Sequence, residues 1–287
     1  MGTDTPGQAE ATTAAVSDPL PEAFGLARGA AEAGLGLKLL GGLAVRVICP
    51  HFPPRLRRDQ DIDFACLSKG RKNVAGYLER SGCEPDRRFN NLNGDRQMYF
   101  TAPSGRPIDV MVDRLAMCHT LDFRPTFDRL PFTLDVVDLL LAKLQIVEMN
   151  EKDARDLLQL LAAMPLSGDG EPGAEPPRPG RPGRHAGHAS SEMPHSGAQS
   201  IDTDRFTKVL GADWGWWRTV TANLKKLPAL AAERPHLHPP EPPYDAAQAC
   251  QRLLELAESA PKSMKWKVRA GVGDRVRWYE LPEEVGH

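Results

Sequence analysis

The sequence predicts an α/β protein of the α+β kind, a mixed sheet flanked by helices and followed by a mainly helical second unit. Three observations carry that expectation. Strand-like apolar runs alternate with helical periods as far as Val112, the pattern turns helical from Asp135 onward, and a stretch rich in Gly, Pro, Ser, His and Arg separates two blocks. With 287 residues, 41% of them apolar, the chain can bury a large core.

The elements follow in order. Pro21 to Ala33 reads as a short helix, and Leu37 to Leu40 as a buried strand ending at Gly41-Gly42. Leu43 to Cys49 has the apolar density of a packed helix. Asp61 to Cys66 alternates polar and apolar residues, as a strand does between a core and a cleft. Lys69 to Ser81 suits an amphipathic helix. Arg96 to Thr101 and Pro107 to Val112 suit two antiparallel strands joined by Ala102-Pro103-Ser104-Gly105. Asp135 to Met149 then reads as a long helix, apolar nearly all round, capped by Thr133 or Asp135, and Lys152 to Ala163 as a second. Past the break, Asp204 to Leu227 and Tyr244 to Ser259 read as helices, and Met264 to Leu281 as a hairpin around Gly271-Val272-Gly273-Asp274, with a helix the close alternative.

The expected organisation is a disordered tail over 1–19, an α/β unit over 20–132, helices over 133–166 that complete its cleft, a linker over 167–200 and a mainly helical unit over 201–287. The linker cannot bury enough surface to offset its ordering entropy. Lys and Arg number 36 against 38 Asp and Glu, so a net charge of -2 gives no global pull toward nucleic acid or membrane. No apolar run approaches the roughly 20 residues that cross a bilayer, and the first residues lack a signal-peptide pattern. The five cysteines form no CxxC pair, which suits reduced thiols in a cytoplasmic protein. Gly34-Leu35-Gly36 fails the dinucleotide spacing and precedes its strand. His185-Ala186-Gly187-His188 sits in the low-complexity linker, where exposure is incidental.

Asp61 and Asp63 are one residue apart on a strand, so a period of two points both the same way while Ile62 enters the core. Two like charges so close repel, and a shared hard cation is the natural remedy. Mg²⁺ takes oxygen ligands and sits between carboxylates and phosphates. Asp109, within Pro107-Ile108-Asp109-Val110-Met111-Val112, supplies a third carboxylate from a neighbouring strand, with Asp113 the weaker choice. Upstream, the Gly41-Gly42 turn lets backbone approach a triphosphate and opens a helix whose N–H groups face it. Lys143 lies in Leu139-Leu140-Leu141-Ala142-Lys143-Leu144, where an unpaired ammonium is costly. Its partner is either Asp138 or Asp135 within the helix, or the triphosphate and metal-bound carboxylates in the cleft.

Together, Leu40-Gly41-Gly42, Asp61-Ile62-Asp63 and Ile108-Asp109-Val110 resemble the signature elements of the polymerase-beta-like nucleotidyltransferase superfamily. Arg57-x-x-x-Asp61-x-Asp63 is similar to its AbiEii-type toxin branch, with Asp59 where that branch carries Thr. Asp138-x-x-x-x-Lys143, followed by Lys152-Asp153-x-x-Asp156, resembles a fourth element, and the likeness spans Leu37 to Leu161. The resemblance implies a nucleotidyltransferase-like fold that moves a nucleoside monophosphate from an NTP to an acceptor hydroxyl on RNA such as tRNA, on protein or on a small molecule. It implies two Mg²⁺ ions on Asp61, Asp63 and Asp109, with Asp109 as base and Gly41 and Gly42 at the β- and γ-phosphates. Lys143 would offset charge, Arg57 or Arg58 would assist, and Asp138, Asp153 and Asp156 would ring the site. A protein antitoxin is the candidate partner. The second reading is an inactive module on the same scaffold that binds nucleotide, nucleic acid or an antitoxin, favoured by Asp59 and by the basic chain end. There Lys262, Lys265, Lys267, Arg269, Arg275 and Arg277 interleave with Trp266, Trp278 and Tyr279, a pattern suited to a phosphate backbone or to a solvated edge.

Overall fold

The computed structural model describes residues 17–53, 60–167, 199–237 and 242–281. The expectations for most of the tail, for Arg57 and Arg58, and for nearly all of the linker therefore lie outside the described residues. In chain order the elements are α1 (Leu20–Glu32), β1 (Leu37–Leu39), α2 (Gly41–Ile48), β2 (Ile62–Cys66), α3 (Arg71–Arg80), β3 (Glu84–Pro85), α4 (Arg87–Asn93), β4 (Gln97–Thr101) and β5 (Pro107–Val112). There follow β6 (Arg114–Ala116), β7 (Thr120–Asp122), α5 (Val136–Leu144), α6 (Glu151–Ala163), α7 (Thr203–Ala212), α8 (Trp214–Glu233), α9 (Ala246–Ser259) and α10 (Met264–Val272). None of the described helices is long and apolar enough to cross a membrane.

Five strands form one mixed sheet in the order β1-β2-β5-β4-β3. Only β2 and β5 run parallel; the other three pairings are antiparallel. Strict alternation drives it: Ile108, Val110 and Val112 of β5 are buried, while Pro107, Asp109 and Met111 between them are half-buried. The sequence missed β3, α4 and the β6–β7 hairpin, whose strands of two or three residues are too short to show a period. The α4 cap is local, since the Asp86 carboxylate accepts from the Phe89 N–H.

Helix ends also differ from expectation, each for a tertiary or capping reason. The long helix from Asp135 stops at Leu144, because Asn223 of α8 donates to the carbonyls of Leu144 and Ile146 at 2.9 and 2.8 Å. Asp135, not Thr133, is its cap. The helix expected over Asp204 to Leu227 is two, parted by extended Asp213, whose carboxylate accepts from the N–H groups of Gly215 and Trp216. Met264 to Leu281 is not a hairpin. Ser263 caps α10 by accepting from the Trp266 N–H, and Gly273, at φ +62°, ends it.

The two blocks do not form separate cores. One buried cluster runs from Ala23 to Ala257, because α5 packs on α2, α7 and α8 and α6 packs on α9. That is why eight of the nine α5 residues are buried. The flanks of the segment 168–198 lie side by side: Ser167 N–H donates to Ile201 O at 2.9 Å, and Ile201 N–H to Pro165 O at 2.8 Å. Asp138 of α5, fully buried, ties the blocks together, with Arg205 Nη2 of α7 at 2.9 Å and Thr126 Oγ1 also in contact.

Arg205→Met leaves the Asp138 carboxylate buried and uncompensated, and is expected to cost about 3 kcal/mol in urea unfolding. A loss below about 1 kcal/mol would show that the pair does not pin the blocks together. His119, buried against Thr219 at 2.9 Å, gives a pH signature. Burial pushes its pKa down to about 4, with Asp213 opposing. Between about pH 6.5 and 4 the unfolded chain takes up the proton first, so stability falls with acid by up to about 1.4 kcal/mol per pH unit. In His119→Gln, unfolding followed across that window should lose this part of the slope; an unchanged slope would refute the assignment.

Candidate active site

The β2/β5 register sets the site. Asp63 lies directly opposite Asp109, with Ile62 against Ile108 and Phe64 against Val110. The four apolar residues are fully buried, so they fix which way the carboxylates point. Asp61 stands two residues before Asp63, exposed at the mouth. From β4, Gln97 Nε2 donates to Asp109 Oδ1 at 2.5 Å. Sequence reasoning missed Gln97, which falls on the Asp109 side only through the antiparallel pairing of β4 with β5. Asp113 serves elsewhere: at φ +63° it accepts from the Ser68 N–H at 2.9 Å.

The double glycine meets these acids from the other side. Leu40 N–H donates to Asp63 O at 2.9 Å, which lays the turn along β2. Gly41 has φ +67°, a conformation side chains resist, and a Cβ there would collide with the Asp63 carboxylate. A Cβ on Gly42 would stand 3.5 Å from Asp156 Oδ2. The first turn of α2 has no side-chain cap, and Gly42 and Leu43 line the cleft.

Lys143 enters from the end of α5. It pairs with neither Asp138 nor Asp135; its Nζ lies 3.0 Å from Asp153 Oδ1 and 3.0 Å from Asp156 Oδ2, both on α6. Burial disfavours its charge, but Asp156 and Asp153 outweigh burial and raise its pKa. Asp153 and Asp156 thus line the cleft with Lys143, whereas Asp138 is drawn away to the Arg205 pair. Burial and then the charge of Asp109 push Asp63 up to about 6, against the pull of Lys143. The cleft, about 340 Å³, is lined by Gly42, Asp61, Asp63, Lys143, Asp153 and Asp156 among others. A larger cavity of about 480 Å³ lies by the β6–β7 turn, where His119 and Trp278 are bonded to Thr219 and Arg205 to Asp138.

The all-carboxylate donor set suits a hard divalent cation, and the raised pKa of Asp63 reflects its burial first and the charge of Asp109 second. Among the described residues, no group of three or more His, Cys, Asp or Glu side chains is placed to hold a metal ion as it stands. Gathering Asp61 onto the Asp63–Asp109 pair therefore requires side-chain movement. The fold and cleft define a mixed α/β protein with an acidic site behind a glycine turn. No protein-family model matches this chain, and no curated protein matches its sequence.

Gly41→Ala combines a strained φ with a clash against Asp63, and is expected to cost about 1 to 3 kcal/mol. Thermal unfolding measures it. A variant as stable as the parent would mean that the turn does not close on Asp63.

Proposed function

We propose that the chain is a divalent-cation-dependent nucleotidyltransferase, moving a nucleoside monophosphate from an NTP to an acceptor hydroxyl with release of pyrophosphate. The observation that carries this reading is the register of β2 against β5, which sets Asp63 opposite Asp109 beside the Gly41-Gly42 turn. The uncapped N-terminus of α2, which opens on the cleft, supports it beside the sequence resemblance to the polymerase-beta-like superfamily. Asp61, Asp63 and Asp109 would hold the cations. Cations bound there would supply Lewis acidity, which would lower the pKa of the attacking hydroxyl and offset charge on the departing pyrophosphate.

The chain's own groups do the rest. Gly41 and Gly42 bring backbone N–H groups to the phosphates. Gln97 orients Asp109, the carboxylate assigned to the hydroxyl proton. Lys143, clamped by Asp153 and Asp156, acts as a fixed positive charge near Asp63 rather than as a mobile phosphate hook. That clamp also favours a second reading, a module that binds nucleotide without turning it over.

Incubation with α-labelled nucleoside triphosphates, Mg²⁺ and total cellular RNA or protein should yield labelled product. Asp61→Ala/Asp63→Ala and Asp109→Asn should each lower it at least about a hundredfold, and chelation should abolish it. Labelling that persists in folded double variant rules out the enzyme, and nucleotide binding without pyrophosphate release establishes the binding module.

A further inference from the structure

α10 carries a surface that the proposed chemistry does not use. Five of the six exposed large apolar side chains among the described residues lie on it or just beyond: Met264 (74% exposed), Val268 (70%), Val272, Val276 and Leu281. Met264, Val268 and Val272 recur every four residues and form one stripe along the helix. Lys267 lies beside that stripe, one turn from Met264. Lys265 borders it, its side chain 82% exposed and, among the described residues, paired with Asp213 at 3.4 Å.

The rings of this segment turn the other way. Trp266 packs edge-on against Trp217 with centroids 5.4 Å apart, and Trp278 packs on Trp214 and donates to Thr219 Oγ1 at 3.0 Å. Two of the three arginines are committed too, and the third, Arg277, lies over the Tyr279 ring at 5.0 Å. Arg269 donates to the carbonyls of Gly273 and Val276 and lies over Trp214, and Arg275 donates to those of Val272 and Gly271. Lys262 caps the last carbonyls of α9. Single-stranded nucleic acid needs exposed rings to stack on and open cations for its phosphates. The face of α10 offers aliphatic groups bordered by lysines instead. A second copy of the chain would set the same lysines against each other.

We infer that the outward face of α10, built on Met264, Val268, Val272, Lys265 and Lys267, is a docking site for an acidic amphipathic helix of a partner protein. The partner's apolar face covers the stripe and its carboxylates meet the lysines. The nine residues of α10 span about 13 Å, room for two or three turns of a partner helix. The inference stands independently of nucleotidyl transfer.

Fluorescence anisotropy on the full-length protein tests it. The probe is a labelled peptide with leucines on one helical face and glutamates along its borders, compared with a scrambled peptide of the same composition. The patterned peptide is expected to bind saturably. Binding should weaken at least about tenfold on scrambling, in Met264→Ser/Val268→Ser/Val272→Ser and in Lys265→Glu/Lys267→Glu. These side chains are exposed, so circular dichroism should show both variants folded. Equal binding of the two peptides, an unaffected triple variant, or no binding up to about 1 mM overturns the inference. So does tighter binding of single-stranded RNA that ignores the triple variant, which assigns the face to nucleic acid. Self-association of the parent that the triple variant abolishes overturns it in favour of a second copy.

Discussion

The parallel pairing of β2 with β5 holds two carboxylates, Asp63 and Asp109, side by side, and the rest of the cleft is organised around the repulsion between them. Neither can turn away by a shift of register. A slip of one residue would send Ile62, Phe64, Ile108 and Val110 out of the core, at roughly 1.5 to 3 kcal/mol for each side chain. The charges must be managed by neighbours instead. Lys143 draws Asp63 toward ionisation, Gln97 holds one oxygen of Asp109, and Gly41 leaves space for the Asp63 carboxylate where any side chain would take it.

That management depends on residues far away in sequence. Lys143 meets Asp153 and Asp156 only because α5 stops at Leu144 and the chain turns back into α6. The turn is held from both blocks: Asn223 of the second donates to the carbonyls of Leu144 and Ile146, and within the first buried Gln145 accepts from the His119 N–H. Arg205 fixes the other end of α5 through Asp138. Residues after the 168–198 segment therefore brace one wall of the cleft, and a chain ending before them would leave α5 and α6 with bare apolar faces.

How much of this was legible follows from how local each cause is. The β2 and β5 strands, the side on which Asp61, Asp63 and Asp109 lie, and the glycine turn could be read directly, since period-two alternation and a Gly pair are properties of short windows. The Asp213 and Ser263 caps were also written locally, as Asp213-Trp214-Gly215 and as Ser263 ahead of Trp266 with Gly273 beyond. The basic-apolar alternation after Met264 masked the second pair. Three features had no local signal. Gln97 reaches Asp109 by strand pairing, Asn223 ends a helix some eighty residues earlier in the chain, and Arg205 removes Asp138 from the cleft. Intrahelical spacing made Asp138 the obvious partner for Lys143, but a guanidinium from α7 competes better for a fully buried carboxylate because it offers Nε and Nη2 together, at 3.1 and 2.9 Å.

The energetics of Asp63 show what an acid at this place costs the fold. With its pKa near 6, an ionised Asp63 at neutral pH weakens the fold by about 3 kcal/mol relative to an exposed aspartate. Against a typical margin of about 5 to 15 kcal/mol, that is a substantial fraction. An amide or a small apolar residue opposite Asp109 would remove the penalty while keeping the register, so stability does not explain the residue. Nor can Lys143 cancel it, because that ammonium already answers two carboxylates on α6. A cation that sat between β2 and β5 would bind the folded state alone and offset the penalty by mass action.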